Sequence, residues 1–134
     1  MKTFLKKKLI TPLLGLSALT FTFDGVMQRA KGLDYDTERQ QAMTESLAHD
    51  DASIAAFDEY MNTTLGTPAA EEAFALRAKE QHAANAAFDR YQEASGNMRR
   101  AARRMTVDLS AALVLVGGIL YREKRKNQQS PRKA

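Results

Sequence analysis

The sequence predicts an all-α protein: an antiparallel helical hairpin of two long amphipathic helices between two short apolar membrane-anchor helices. Three observations support this prediction. Apolar runs lie near both ends of the chain, at residues 9–23 and 105–121. Between them, the larger apolar residues recur at helical spacings in an alanine-rich context. A glycine–threonine–proline turn separates the two amphipathic stretches.

Length and composition limit the alternatives. A chain of 134 residues allows one domain. It contains no cysteine, which excludes disulfides, zinc–thiolate sites and thiol catalysis. The net charge of +4 hides a strong segregation, because residues 24–98 hold 14 acidic against 6 basic side chains while both ends are basic. This distribution favours membrane sidedness over nucleic-acid binding.

The first 23 residues resemble a signal sequence in layout, with a basic start followed by the uncharged run 9–23. At about 1.5 Å per residue this run is about 22 Å long, short of a hydrocarbon core of about 30 Å. We expect a retained signal anchor; a cleaved signal peptide and an import presequence are the alternatives. Small residues on one face of this helix would allow close approach of another membrane helix: Thr11, Gly15, Ala18 and Thr22.

The second anchor is predicted at residues 105–121, with Asp108 one turn inside its start and Tyr121 at its end, where aromatic residues mark membrane interfaces. A buried helix of a soluble protein is the alternative interpretation. Its small residues are the expected counterparts of the first anchor's small face: Ser110, Ala111, Gly117 and Gly118.

The basic residues predict the orientation, because lysine and arginine near span ends favour the cytoplasmic side. We expect a bacterial inner-membrane protein with both termini cytoplasmic and residues 24–104 outside. An arginine cluster next to the second span, on the external side, disagrees with that rule. The residues expected to contact anionic lipid are Lys6, Lys7, Lys8, Arg99, Arg100, Arg103, Arg104, Arg122, Lys124, Arg125 and Lys126.

The acidic middle is predicted as a linker at 24–35, a helix at 36–65, a turn at 66–67 and a second helix at 68–104; residues 122–134 are predicted as a disordered basic tail. Gly66 suits the left-handed residue that ends a helix, Thr67 can cap the next helix, and Pro68 fits its first position. A kink or break is expected at residues 95–97.

Larger apolar residues at helical spacing form a predicted packing face, part of which closes the hairpin and part of which meets a protein partner or a second copy. Its members are Met43, Leu47, Ile54, Phe57, Met61, Phe74, Phe88, Tyr91 and Met98. Because so much of the middle is alanine, the isolated hairpin buries little area per residue and should be weakly stable alone.

Few residues suggest chemistry. The two histidines and two nearby acids are weak candidates for a metal site: Glu45, His49, Asp51 and His82. Neither histidine lies clearly on the apolar face, so we predict no metal site. We also predict no cofactor, no catalysis, no nucleic-acid binding and no small-molecule substrate. The predicted function is a membrane-anchored interaction or assembly protein, an accessory subunit or scaffold of a membrane complex. A pore former or lysis factor is the second hypothesis, and a metal-dependent helical-bundle enzyme is the third.

Overall fold

The structure is a computed structural model that describes the backbone of residues 2–129 and the side chains of residues 12–128. Within that range it contains two helices, α1 (Lys2–Asn62) and α2 (Pro68–Gln129), which pack against each other, and no strand. The predicted all-α fold and the pairing of two long helices are confirmed.

The left-handed glycine and the threonine cap of the turn are confirmed, whereas α1 ends at Asn62, three residues before its predicted end. Gly66 has a φ of +81°, a backbone conformation in which a glycine avoids the steric penalty of a Cβ. The Thr67 amide donates to the carbonyl oxygen of Thr64 at 3.3 Å, and the Thr67 hydroxyl accepts from the amide of Ala70 at 3.4 Å. Pro68 is the first residue of α2. Local chemistry alone therefore accounts for this reversal of the chain.

Away from the turn both helices extend beyond their predicted bounds, and the short separate anchor helices are not found. Residues 24–35 belong to α1 rather than to a linker, and α2 continues through residues 95–97 without a break. The predicted tail is helical as far as Gln129, and residues 130–134 lie outside the described part. A glycine inside a helix costs about 0.5–1 kcal/mol, which the long flanking runs of good helix formers outweigh.

The chain divides into two compact units. We call Gly32–Arg99 the hairpin unit, and Met1–Lys31 together with Arg100–Ala134 the terminal unit. Each contains a piece of both helices.

Small residues form the helix–helix interface of the hairpin unit. Its buried members are Ala42, Ser53, Ala56, Ala70, Ala73, Ala84, Ala87 and Ala94. Their spacing includes steps of seven and fourteen residues, which keep small side chains on one face of each helix. The Ser46 hydroxyl donates to the backbone carbonyl of Ala84 at 3.2 Å, a bond between helices that requires their backbones to lie close together. No large described side chain is fully buried.

The core of the terminal unit is also small, and partly polar. Its buried residues are Ala18, Gly25, Gln28, Ala101, Asp108 and Ala112. At Gly25 the two helical segments lie close together: a Cβ placed on this residue would be 3.0 Å from Cγ and Cδ2 of Leu109. The absence of a side chain there allows the two helical segments to meet.

Candidate membrane-contact surface and partner face

Large apolar side chains cover the outside of the terminal unit. We call this surface the apolar belt. Its exposed members are Leu13, Leu16, Leu19, Phe21, Phe23 and Val26 from α1, and Val107, Leu113, Val114, Val116, Leu120 and Tyr121 from α2. The buried residues of this unit are thus small or polar, whereas many of its large apolar residues are exposed.

This arrangement is the reverse of what water favours. Soluble proteins rarely expose large contiguous apolar patches, whereas helices in lipid pair through small residues and present large apolar ones to the acyl chains. Among the described residues, α2 is the one helix long and apolar enough to cross a membrane, and most of its apolar stretch is not covered by the rest of the chain. Among the described side chains of α1, residues 12–62, no stretch meets the same criterion, and residues 9–11 of the first predicted span lie outside that range.

A polar cluster lies at one edge of the apolar belt. The Arg104 guanidinium donates to Oδ2 of Asp24 at 3.2 Å, and its Nε lies 3.9 Å from Oδ2 of Asp108. The Asp108 side chain is nine-tenths buried, and its Oδ2 accepts no hydrogen bond from the described residues. Buried Gln28 belongs to the same core. Arg104, predicted as a lipid contact, is therefore engaged with two carboxylates of its own unit.

The other predicted lipid-contact residues are mostly exposed. Arg99, Arg100 and Arg103 are exposed before the belt. After Tyr121, Lys124 and Arg125 are exposed, Arg122 is half-buried, and Lys126 pairs with Glu123 at 2.8 Å. The side chains of Lys6, Lys7, Lys8 and Thr11 lie outside the described residues. The described basic residues thus flank the α2 part of the belt on both sides.

The predicted small faces of the two spans are only partly brought together. Ala18 is buried, Gly15 and Ala111 are half-buried, and the rest of the described set is exposed: Thr22, Ser110, Gly117 and Gly118. A Cβ on Gly15, Gly117 or Gly118 would meet nothing within 4 Å. Gly25 was not predicted as a contact residue; the signal available in the sequence is its position seven residues after Ala18, on the same helical row.

In the hairpin unit, the predicted packing face is largely open. We call it the apolar stripe. Phe57, Tyr91 and Met98 are half-buried, and the remaining members are exposed: Met43, Leu47, Ile54, Met61, Phe74 and Phe88. The alanine and serine rows, rather than these larger residues, fill most of the contact between the helices. The part of the stripe that closes the hairpin is therefore small.

Aromatic contacts join the stripe across both helices. The ring centroids of Tyr60 and Phe74 are 5.6 Å apart, and those of Phe57 and Tyr60 are 6.5 Å apart. The Arg77 guanidinium lies 4.2 Å from the Phe57 ring centroid, a cation–π contact. Farther from the turn, Phe88 stacks on Tyr91 at 5.7 Å. The apolar stripe is thus one surface with contributions from α1 and α2.

The four weak metal candidates are not assembled. Nδ1 of His49 lies 2.6 Å from Oε2 of Glu80, and Glu45 pairs with Arg90. Asp51 and His82 are exposed. Among the described residues, no three histidine, aspartate or glutamate side chains form a group that could hold a metal ion.

Comparison with known proteins gives no relative from which function could be transferred: no family model, no curated protein and no solved structure matches this chain. The function is therefore inferred from the apolar belt and the apolar stripe.

Proposed function

We propose that the protein is a membrane-anchored assembly factor, an accessory subunit or scaffold of a membrane complex. The apolar segments of its terminal unit lie in the bilayer, and its hairpin unit lies in water as a binding platform. The observation that carries this proposal is the inverted terminal unit, with alanine, glycine and buried polar residues inside and the apolar belt outside. In water that surface would be an aggregation hazard, whereas in lipid it is the expected exterior.

The length of the belt fits a bilayer when its flanks are included. The uncharged run from Leu109 to Tyr121 is about 20 Å long at 1.5 Å per residue. Arginine and lysine side chains at both ends can extend toward the headgroups while their methylene stems remain in the apolar region. Mismatch of a few ångström costs fractions of a kcal/mol per Å and is accommodated by local thinning of the bilayer.

The proposed location is a bacterial inner membrane, with both termini cytoplasmic and residues 24–104 outside. The basic residues after Tyr121 and those before the first apolar run support this orientation, since positive charge near span ends is retained on the cytoplasmic side.

Single-cysteine labelling tests this proposal, because the native chain has no cysteine. Thr3→Cys, Asp50→Cys and Gln128→Cys would each be treated in intact cells with an impermeant thiol reagent, with permeabilised cells as the control. We expect external labelling only at position 50, with full-length mass and recovery in the membrane fraction. Labelling of all three in a protein that stays soluble after cell breakage would reject the membrane proposal.

A pore former or lysis factor is a second candidate, favoured by one observation: the buried core of the terminal unit contains Gln28 and Asp108, so its interior is partly polar. Dye release from lipid vesicles distinguishes the two candidates. We expect the purified protein to insert without releasing dye; release that is lost in Asp108→Leu would favour the pore.

A further inference from the structure

We propose that the apolar stripe of the hairpin unit is a docking site for a basic amphipathic α-helix of another protein. This inference deepens the proposed assembly function by naming the class of partner. It does not depend on where the terminal unit resides.

The stripe has the periodicity that a packing helix requires. On α1, Leu47, Ile54 and Met61 are seven residues apart, and Met43 and Phe57 are fourteen residues apart on the adjacent row. Rows with a seven-residue spacing remain aligned along a neighbouring helix. The rows of α1 that contact α2 are different ones and contain Ala42, Ser53 and Ala56. Helix α1 therefore has one set of rows already covered by α2 and a second, larger set that is open.

The open apolar rows lie along one edge of the helix pair. Phe74 of α2 contacts Tyr60, which also contacts Phe57 of the stripe, and Phe88 follows Phe74 by fourteen residues on the same row of α2. A different row of α2 provides Arg90, which pairs with Glu45. The open surface is thus a single apolar face bridging two helices, the geometry in which a third helix is bound.

The charges around the stripe indicate the chemistry of the partner. Asp50, Asp51 and Asp58 are exposed beside Leu47 and Ile54, and none forms an ion pair with a described residue. Lysine or arginine on a bound helix would complement these carboxylates and exclude acidic partners.

Two arginines near the stripe are already engaged: Arg39 pairs with Asp36 at 2.7 Å, and Arg77 lies on the Phe57 ring. Neither of these arginines forms an ion pair with Asp50, Asp51 or Asp58.

The same charges argue against a second copy. A two-fold axis through the middle of residues 43–61 would bring Asp50 and Asp51 of one chain toward the same two residues of the other. Like charges placed face to face disfavour association. A partner helix with lysine or arginine flanks would instead be attracted by these carboxylates.

Designed peptides test the inference with the full-length protein in mild detergent. Three 21-residue fluorescent helices would be compared: one with leucines at seven-residue rows and lysine flanks, one with the same composition in scrambled order, and one with glutamate flanks. By anisotropy we expect the ordered lysine peptide to bind at least about tenfold more tightly than either other peptide, and more weakly at high salt. Equal binding of all three, or binding of none, would overturn the proposal.

Two matched variants locate the site. Leu47→Gln with Ile54→Gln should weaken binding of the ordered lysine peptide by at least about tenfold, since apolar anchors provide most of the energy of such contacts. Leu76→Gln is the control, because Leu76 is a similarly exposed leucine (44% against 54% for Leu47) fourteen residues before Arg90. All three residues are exposed, so circular dichroism should show unchanged helicity.

Other results would contradict the inference in identifiable ways. Equal effects of the stripe variant and the Leu76 variant would show that binding is not located on the stripe. A native dimer in sedimentation experiments that dissociates in the stripe variant would show that a second copy covers this face. Failure of the membrane proposal would appear in the cysteine-labelling experiment and would leave peptide binding unchanged, so the two failures are distinguishable.

Discussion

Substitutions at three consecutive residues of α2 test whether small residues hold the hairpin together. Ala87 is fully buried (0% exposed) at the helix–helix contact, Ala86 is exposed, and Phe88 of the apolar stripe is 42% exposed. Ala87→Leu adds three carbon atoms where the helices meet. Overpacking of this kind costs about 1–3 kcal/mol.

Substitutions at the neighbouring residues Ala86 and Phe88 are the controls. Ala86→Leu makes the same chemical change on the exposed surface, where substitutions usually alter stability by less than about 0.5 kcal/mol. Phe88→Ala removes a large side chain that is already well exposed, so we expect a loss of about 1 kcal/mol or less, far below the roughly 3–5 kcal/mol for a buried phenylalanine.

Amide hydrogen exchange of the full-length protein in detergent measures these effects locally. At 1.4 kcal/mol per factor of ten, Ala87→Leu should lower protection in residues 68–99 by about 5- to 150-fold, with Ala86→Leu near the wild type. A neutral Ala87→Leu together with a large effect of Phe88→Ala would refute the small-residue interface and show that the apolar stripe closes the hairpin.

Two further predictions concern glycine and arginine. Gly66→Ala should destabilise the turn by about 1–2 kcal/mol because Gly66 has a left-handed backbone conformation. Gly96→Ala should stabilise α2 by about 0.5–1 kcal/mol because the added Cβ meets nothing within 4 Å. Hydrogen exchange measures both changes, and a change of the same sign in the two variants would contradict the structure. Arg104→Gln should lower the thermal midpoint of helix loss because it leaves buried Asp108 without its cation. Arg103→Gln is the control, because Arg103 is exposed and the midpoint should not change. Equal midpoints for the two variants would contradict the role of the polar cluster.

The turn could be predicted from the sequence because its signals are local. Gly66, Thr67 and Pro68 each have a conformational preference that acts within a few residues, and the structure places all three as expected. The same reasoning failed at residues 24–35 and 95–97, where glycine suggested breaks. A glycine only weakens a helix, and contact with another segment, such as that of Leu109 on Gly25, can decide the outcome.

The helix–helix interface could not be predicted in the same way. Large apolar residues dominate a periodicity analysis, and they indicated the apolar stripe as the packing face. The alanines at positions 70, 73, 84, 87 and 94 also keep a helical register, but alanine is common in any good helix and so gives a weak signal. Only a structure shows which of two periodic faces is covered. Likewise, the pairing of His49 with Glu80 depends on the alignment of the two helices, which the sequence gives to within about one turn.

The most direct test of the central claim is the environment of the apolar belt. A nitroxide would be attached at Leu113→Cys, where the native side chain is 73% exposed, and separately at Leu47→Cys in the hairpin unit, with the protein in lipid vesicles. Collision rates with oxygen, which concentrates in lipid, and with a water-soluble nickel chelate would be compared. We predict oxygen access with exclusion of nickel at position 113, and free nickel access at position 47. Free nickel access at position 113 would contradict the membrane account, because the belt would then lie in water.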